Sequence, residues 1–138
     1  MKNRLFFDTD VILDIALDRK PFSEFGATLL SQVESNHFSG FTSSVIFSNV
    51  YYIHRKLASH AAAISFLRKL RLILTVLPVD DMVIQTALES DLKDFEDSIQ
   101  YYAALKNKMD FIITRNVNDF KGSQIPIHTP EEFLLLKL

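Results

Sequence analysis

The chain has 138 residues, 48% of them hydrophobic and 23% charged, with twelve phenylalanines and no cysteine. That length suits one domain (1–138) with a substantial core, and the composition excludes a disordered chain, a disulfide framework and a thiolate metal centre. A formal net charge of −2 excludes the bulk basic character that advertises nucleic-acid binding and leaves only a local basic surface for such a role.

Three glycines and four prolines leave no Gly-rich phosphate loop and no obvious linker. No apolar stretch approaches the roughly 18 residues of a membrane span. Lys2 and Arg4 precede an apolar run too short for a secretory leader. With the absence of cysteine, these features predict a cytoplasmic protein.

Leu5-Phe6-Phe7 is an apolar run with no polar break, which predicts a strand buried on both faces and ending at Asp8. Val11 to about Arg19 reads as a short helix. Pro21 suits a helix start, and Phe22, Phe25, Leu29, Leu30 and Val33 continue an amphipathic helix to about Asn36. Phe38–Phe41 is a short strand candidate. Thr42 or Ser43 caps a third helix whose stripe of Val45, Ile46, Val50, Ile53 and Leu57 contains Asn49. A polar residue on such a stripe either bonds the backbone inside the core or faces a polar cleft.

Ser59 caps a fourth helix. Arg55, Lys56, Arg68, Lys69 and Arg71 gather around these two helices, as a solvated face or as a groove for a phosphate backbone. Leu72 to Val79 has strand-like content, and Met82 to about Asp91 reads as a helix. Another helix opens near Asp94 and runs to about Lys108. Phe111–Thr114 is a second clean buried strand, and Ile125–His128 a short last one. Thr129-Pro130-Glu131-Glu132 starts the final helix, with a Thr cap, Pro at the first position and acids in the first turn. Strand and helix alternate, so the fold class is α/β with a parallel, helix-covered sheet and right-handed crossovers.

In such a sheet the ligand crevice lies beyond the carboxyl ends of the strands. Asp8 follows the first strand, Asp94 and Asp97 open a helix, and Asn116 and Asp119 follow the Phe111–Thr114 strand. These acids share one sheet edge, where they repel one another unless protonated or neutralised by a cation. Oxygen donors of this kind favour Mg²⁺ or Mn²⁺. The four histidines are scattered and offer no zinc spacing. Capping is the competing role: Asp8 or Asp10 for the first helix, and Asp94 with Asp97 as a capping-box-like pair.

Three segments then converge on a family. Leu5-Phe6-Phe7-Asp8-Thr9-Asp10, Asp94-Phe95-Glu96-Asp97-Ser98-Ile99-Gln100-Tyr101-Tyr102-Ala103-Ala104 and Ile112-Ile113-Thr114-Arg115-Asn116-Val117-Asn118-Asp119-Phe120 resemble the signature segments of a PIN domain, the PilT N-terminus type. Thr129-Pro130-Glu131-Glu132-Phe133 resembles a bacterial subgroup of it. The resemblance spans essentially the whole chain. It implies a three-layer α/β/α sandwich with a central, mostly parallel sheet of about five strands. It also implies a Mg²⁺- or Mn²⁺-dependent ribonuclease, commonly a VapC-type toxin that cuts RNA, pairs with a small antitoxin protein and forms a homodimer.

By position, Asp8 matches the first acid of the family pattern and Asp97 the third, which makes them the implied metal ligands, with Asp94 beside them. Thr9 matches the small hydroxyl residue next to the first acid. Asn49 falls where the family usually has Glu, and Asn116 where many members have a fourth Asp. Asp10 stands where the family often has Asn. Asp94 and Asp119 are extra acids, each three residues from a pattern position. The implied catalytic set is therefore Asp8, Asp97, Asn116, Asp119 and Asn49, with Thr9 and Arg115 on the substrate side. The two asparagines raise an alternative, a degenerate PIN domain that binds RNA or a protein without cutting. Asp8-Thr9-Asp10-Val11 also resembles the opening of a haloacid-dehalogenase-type phosphatase, but the later Gly-Asp loop and supporting Lys of that class do not stand out.

Overall fold

A computed structural model describes residues Met1–Leu138. Strands β1 (Arg4–Phe7), β2 (Ser39–Ser43), β3 (Thr75–Leu77), β4 (Phe111–Ile113) and β5 (Ile127–His128) form one sheet in the order β3-β2-β1-β4-β5. Every adjacent pair is parallel, with Phe6 opposite Phe41 on one side and Ile112 on the other. Helices α1 (Thr9–Ala16), α2 (Phe22–Glu34), α3 (Ser44–Leu57), α4 (His60–Ile73), α5 (Asp81–Leu88), α6 (Phe95–Lys106) and α7 (Pro130–Leu135) cover it, giving the expected three-layer α/β/α sandwich.

Burial on both faces explains the strand sequences. Leu5, Phe6, Phe7, Ile112 and Ile113 have no exposed surface, so β1 and β4 carry unbroken apolar runs instead of an alternating pattern. The chain steps from β1 outward to β2 and β3, then reverses across the sheet to β4. Right-handed crossovers therefore send α1–α4 to one face and α5 and α6 to the other. The reversal makes a topological switch point between β1 and β4, the position where open α/β sheets leave a crevice.

The structure differs from the sequence reading at Leu72–Val79. Helix α4 continues to Ile73, and β3 occupies only Thr75–Leu77. Leu70 and Leu74, four apart, are buried while Leu72 faces solvent, so the helical period persists through a run that looks strand-like by composition alone. The last strand is likewise shorter than Ile125–His128, and the first helix starts at Thr9, two residues before Val11.

Gly40 in β2 sets how closely the helices seat. A Cβ there would stand 2.5 Å from Leu74 Cδ2 and 2.7 Å from Val33 Cγ1. Gly40→Ala is expected to destabilise the fold by about 1–3 kcal/mol through overpacking. Denaturant unfolding checks this, and a wild-type midpoint would mean that α2 and α4 retreat freely.

Candidate active site

Asp8 ends β1 and begins α1. Its backbone N–H donates to Ile113 O at 3.0 Å, which extends the β1–β4 pairing by one residue. Its Oδ1 accepts from the Thr9 N–H at 2.8 Å and caps α1. Its Oδ2 accepts from the Thr114 hydroxyl at 2.9 Å. The cap uses one oxygen, and the other, bonded to Thr114, lies at the mouth of the switch point, so capping and a site role are compatible.

Asp10 lies one residue into the same helix. Its Oδ2 accepts from Asn116 Nδ2 at 2.8 Å and from the Arg115 N–H at 3.2 Å. Its Oδ1 is buried and has no partner. Asn116, which stands where a fourth acid is expected, thus donates to an acid that stands where an asparagine is expected. The pair brings one carboxylate and one amide to the cleft.

A cleft of about 500 Å³ opens here, and Asp8, Asp10, Glu96 and Asp97 bring four carboxylates to its lining. Asp97 sits in the first turn of α6. Asp94 is the N-cap of that helix, accepting from the Asp97 N–H at 3.0 Å. It is exposed and does not line the cleft, and neither does Asp119, which is exposed in the 3₁₀ turn Val117–Phe120. Asn49 is half-buried and lines the cleft from α3, together with Thr9, Arg115 and Asn116. Beneath it, Ser43 caps α3 and also donates to Gln100 of α6, tying the two helices together.

Four residues of this region escape a reading by motif: Thr114, Glu96, Asp14 and Arg19. Asp14 had a legible signal. It follows Val11-Ile12-Leu13 on a buried helix, and a buried acid there requires partners. They are Arg115 and Arg19.

Burial raises the Asp8 pKa from 3.8 to about 7, with the Asp10 charge the next cause. Asp97 is raised to about 6 by burial and then by the charges of Asp94, Asp119, Glu96 and Asp10. Asp10 is also raised, chiefly by burial. Asp94 and Asp119 therefore act on the cleft through their field. No three acidic or histidine side chains stand together as a ready-made ligand cage. Mg²⁺ does not need one: it keeps several waters and binds through one or two carboxylates. Hard oxygen donors, the lack of His or Cys in the lining, and the unpartnered Asp10 Oδ1 all fit Mg²⁺ or Mn²⁺.

The fold is a parallel α/β sheet with four carboxylates lining the cleft at its switch point. The family model described as "PIN domain" matches residues 4–118, and the chain belongs to that family. It is similar to Ribonuclease VapC1 of Aquifex aeolicus (strain VF5), with 29% identity over 135 residues, 94% of this chain and 92% of the relative. In fold it resembles VapBC2 of Rickettsia felis bound to a promoter DNA fragment (TM-score 0.71, 12% identity, 91% of this chain and 98% of that one). It also resembles a toxin–antitoxin complex from Klebsiella pneumoniae (TM-score 0.69, 18% identity, 91% and 97%). Family membership sets aside the phosphatase resemblance of the Asp8 segment.

The raised acids give a stability signature for the metal-free protein. An acid whose folded pKa lies above its unfolded value contributes stability that is fully present below the unfolded value and is lost as pH rises through the folded value. For Asp8 that window runs from 3.8 to about 7. In EDTA, Tm is expected to fall from pH 5 to pH 8, and Asp8→Asn is expected to reduce the fall, with Asp97 and Asp10 carrying the remainder. Thermal melts across that range check this; equal slopes in the two proteins would contradict it.

Proposed function

We propose that this protein is a divalent-metal-dependent endoribonuclease, the toxin of a toxin–antitoxin pair. The observation that carries the reading is the convergence of Asp8, Asp10, Glu96 and Asp97 on one cleft at the switch point of a PIN fold. The relative named a ribonuclease and the resemblance to toxin–antitoxin structures support it. A small antitoxin protein, a homodimer and a cytoplasmic location belong to the same reading. Exposed Tyr52 and Ile53, which line the cleft from α3, and Leu57 further along the helix give a partner apolar surface at its rim.

In this mechanism Asp8 and Asp97 would hold the cation, which when bound would supply a water of lowered pKa and charge neutralisation for the scissile phosphate. The Thr114 hydroxyl fixes the rotamer of Asp8 from β4. Asn116 fixes Asp10, so that Oδ1 stays free as the third acidic oxygen. Asn49 adds a neutral polar group on the α3 wall. Thr9 and Arg115 take the substrate side.

The test incubates purified protein with structured and unstructured RNA in Mn²⁺, in Mg²⁺ and in EDTA. Cation-dependent cleavage is expected, with loss to background in Asp8→Asn. Binding without cleavage under every cation would overturn the nuclease and leave an RNA-binding PIN domain.

The Asp10–Asn116 pair has its own outcome. Asp10→Asn is expected to cost about ten- to a hundredfold in metal affinity. Adding Asn116→Asp is expected to recover most of it. Calorimetric titration with Mn²⁺ reads both, and a double variant as weak as the single would show that Asp10 alone occupies a ligand position.

A further inference from the structure

The cleft wall between α1 and the end of β4 carries two guanidinium groups on one buried carboxylate. Asp14, with 2% of its side chain exposed, accepts from Arg115 Nε at 2.6 Å and Nη2 at 3.1 Å, and from Arg19 Nε at 2.9 Å. The Arg115 guanidinium also stacks over Phe22, 4.3 Å from its ring centre. Both arginines line the cleft, with 40% (Arg19) and 32% (Arg115) of their side chains exposed.

One arginine would neutralise Asp14; two leave an excess positive charge on this wall. Nη1 of Arg115 and both terminal nitrogens of Arg19 make no hydrogen bond within the chain. These are forked, always-charged donors of the kind that suit phosphate. The fork and the stacking fix the Arg115 plane in advance, so less side-chain freedom is lost on binding. A cleft lined by four carboxylates repels a polyanion and needs such a counter-pole.

We propose that Asp14 is a positioning residue that locks Arg19 and Arg115 into a binding fork for the phosphodiester backbone of RNA. The inference rests on the ribonuclease reading for its ligand, and its test separates the two. A short fluorescent mixed-sequence RNA is titrated in Ca²⁺ by anisotropy across a salt series, with fold checked by circular dichroism and Tm.

Arg19→Gln and Arg115→Gln are each expected to weaken binding about tenfold, the size of one charge-assisted hydrogen bond. Each is also expected to flatten the dependence of log affinity on log salt by about 0.7, one phosphate contact on a single strand. Arg19→Lys should recover the salt slope but not the full affinity. Asp14→Asn keeps both cations and should lose affinity without flattening the slope. Arg19→Gln retains the Asp14–Arg115 pair, so it reads the proposal even where Asp14→Asn fails to fold.

Folded Arg→Gln variants with the wild-type slope would overturn the proposal and make the cluster a staple between α1 and β4. If wild type cleaves RNA while those slopes stay unchanged, the fork alone falls. If wild type binds with the expected slopes yet cleaves under no cation, the fork stands and the nuclease reading falls. A wild type that does not bind RNA overturns both.

Discussion

The constraint on which the structure turns is the placing of a carboxylate at the end of a strand that water does not reach. Leu5, Phe6 and Phe7 are sealed on both faces, and Asp8 is only 7% exposed. Desolvation penalises the charged form there, and the Asp10 charge adds to the penalty, which is why the Asp8 pKa rises to about 7. Two hydrogen bonds, from the Thr9 N–H and the Thr114 hydroxyl, oppose the rise and fix the carboxylate in place. Strand order, the helix starts and the β4 sequence all serve to bring those donors and the neighbouring acids to one point.

A site so arranged is out of balance by itself. Asp8, Asp10 and Asp97 are each shifted toward the protonated form, and each shift has burial as its first cause. A divalent cation reverses the penalty, because it favours the charged form of every carboxylate around it. Asn116 donates to Asp10 at 2.8 Å, so that pair carries a single carboxylate oriented by an amide. Asn49 lines the cleft from α3 with no acid bonded to it.

Much of this was legible in the sequence, for physical reasons. A strand buried on both faces must be continuously apolar, so Leu5–Phe7 and Phe111–Ile113 identified themselves, and the acids after them marked the sheet edge. Leu72–Val79 misled because a short apolar run holds no period long enough to separate strand from helix, and only burial of Leu70 and Leu74 with exposure of Leu72 resolves it. The family resemblance set Asp94 beside the metal ligands and Asp119 in the catalytic set. Helix geometry turns Asp94 to its own N-cap and leaves Asp119 at the surface, so proximity in sequence became electrostatic influence instead of contact. The Asp10–Asn116 bond spans 106 residues, and no local pattern reveals such a pairing.

Helix α1 joins the two halves of the site. Asp10 and Asp14 are four residues apart and so share one helix face. Asp10 meets the backbone N–H of Arg115 and the amide of Asn116, while Asp14 takes the Arg115 side chain. One residue at the β4 end is thus gripped by both acids, through its main chain by the first and its guanidinium by the second. Any movement of α1 that displaces Asp10 displaces Asp14 with it. Separation between Asp10 and the guanidinium wall is therefore set by four residues of helix, a rigid rise of about 6 Å, instead of by a flexible loop. That rigidity is what a cleft needs if a cation on the acids and a phosphate on the arginines are to be held at a fixed distance.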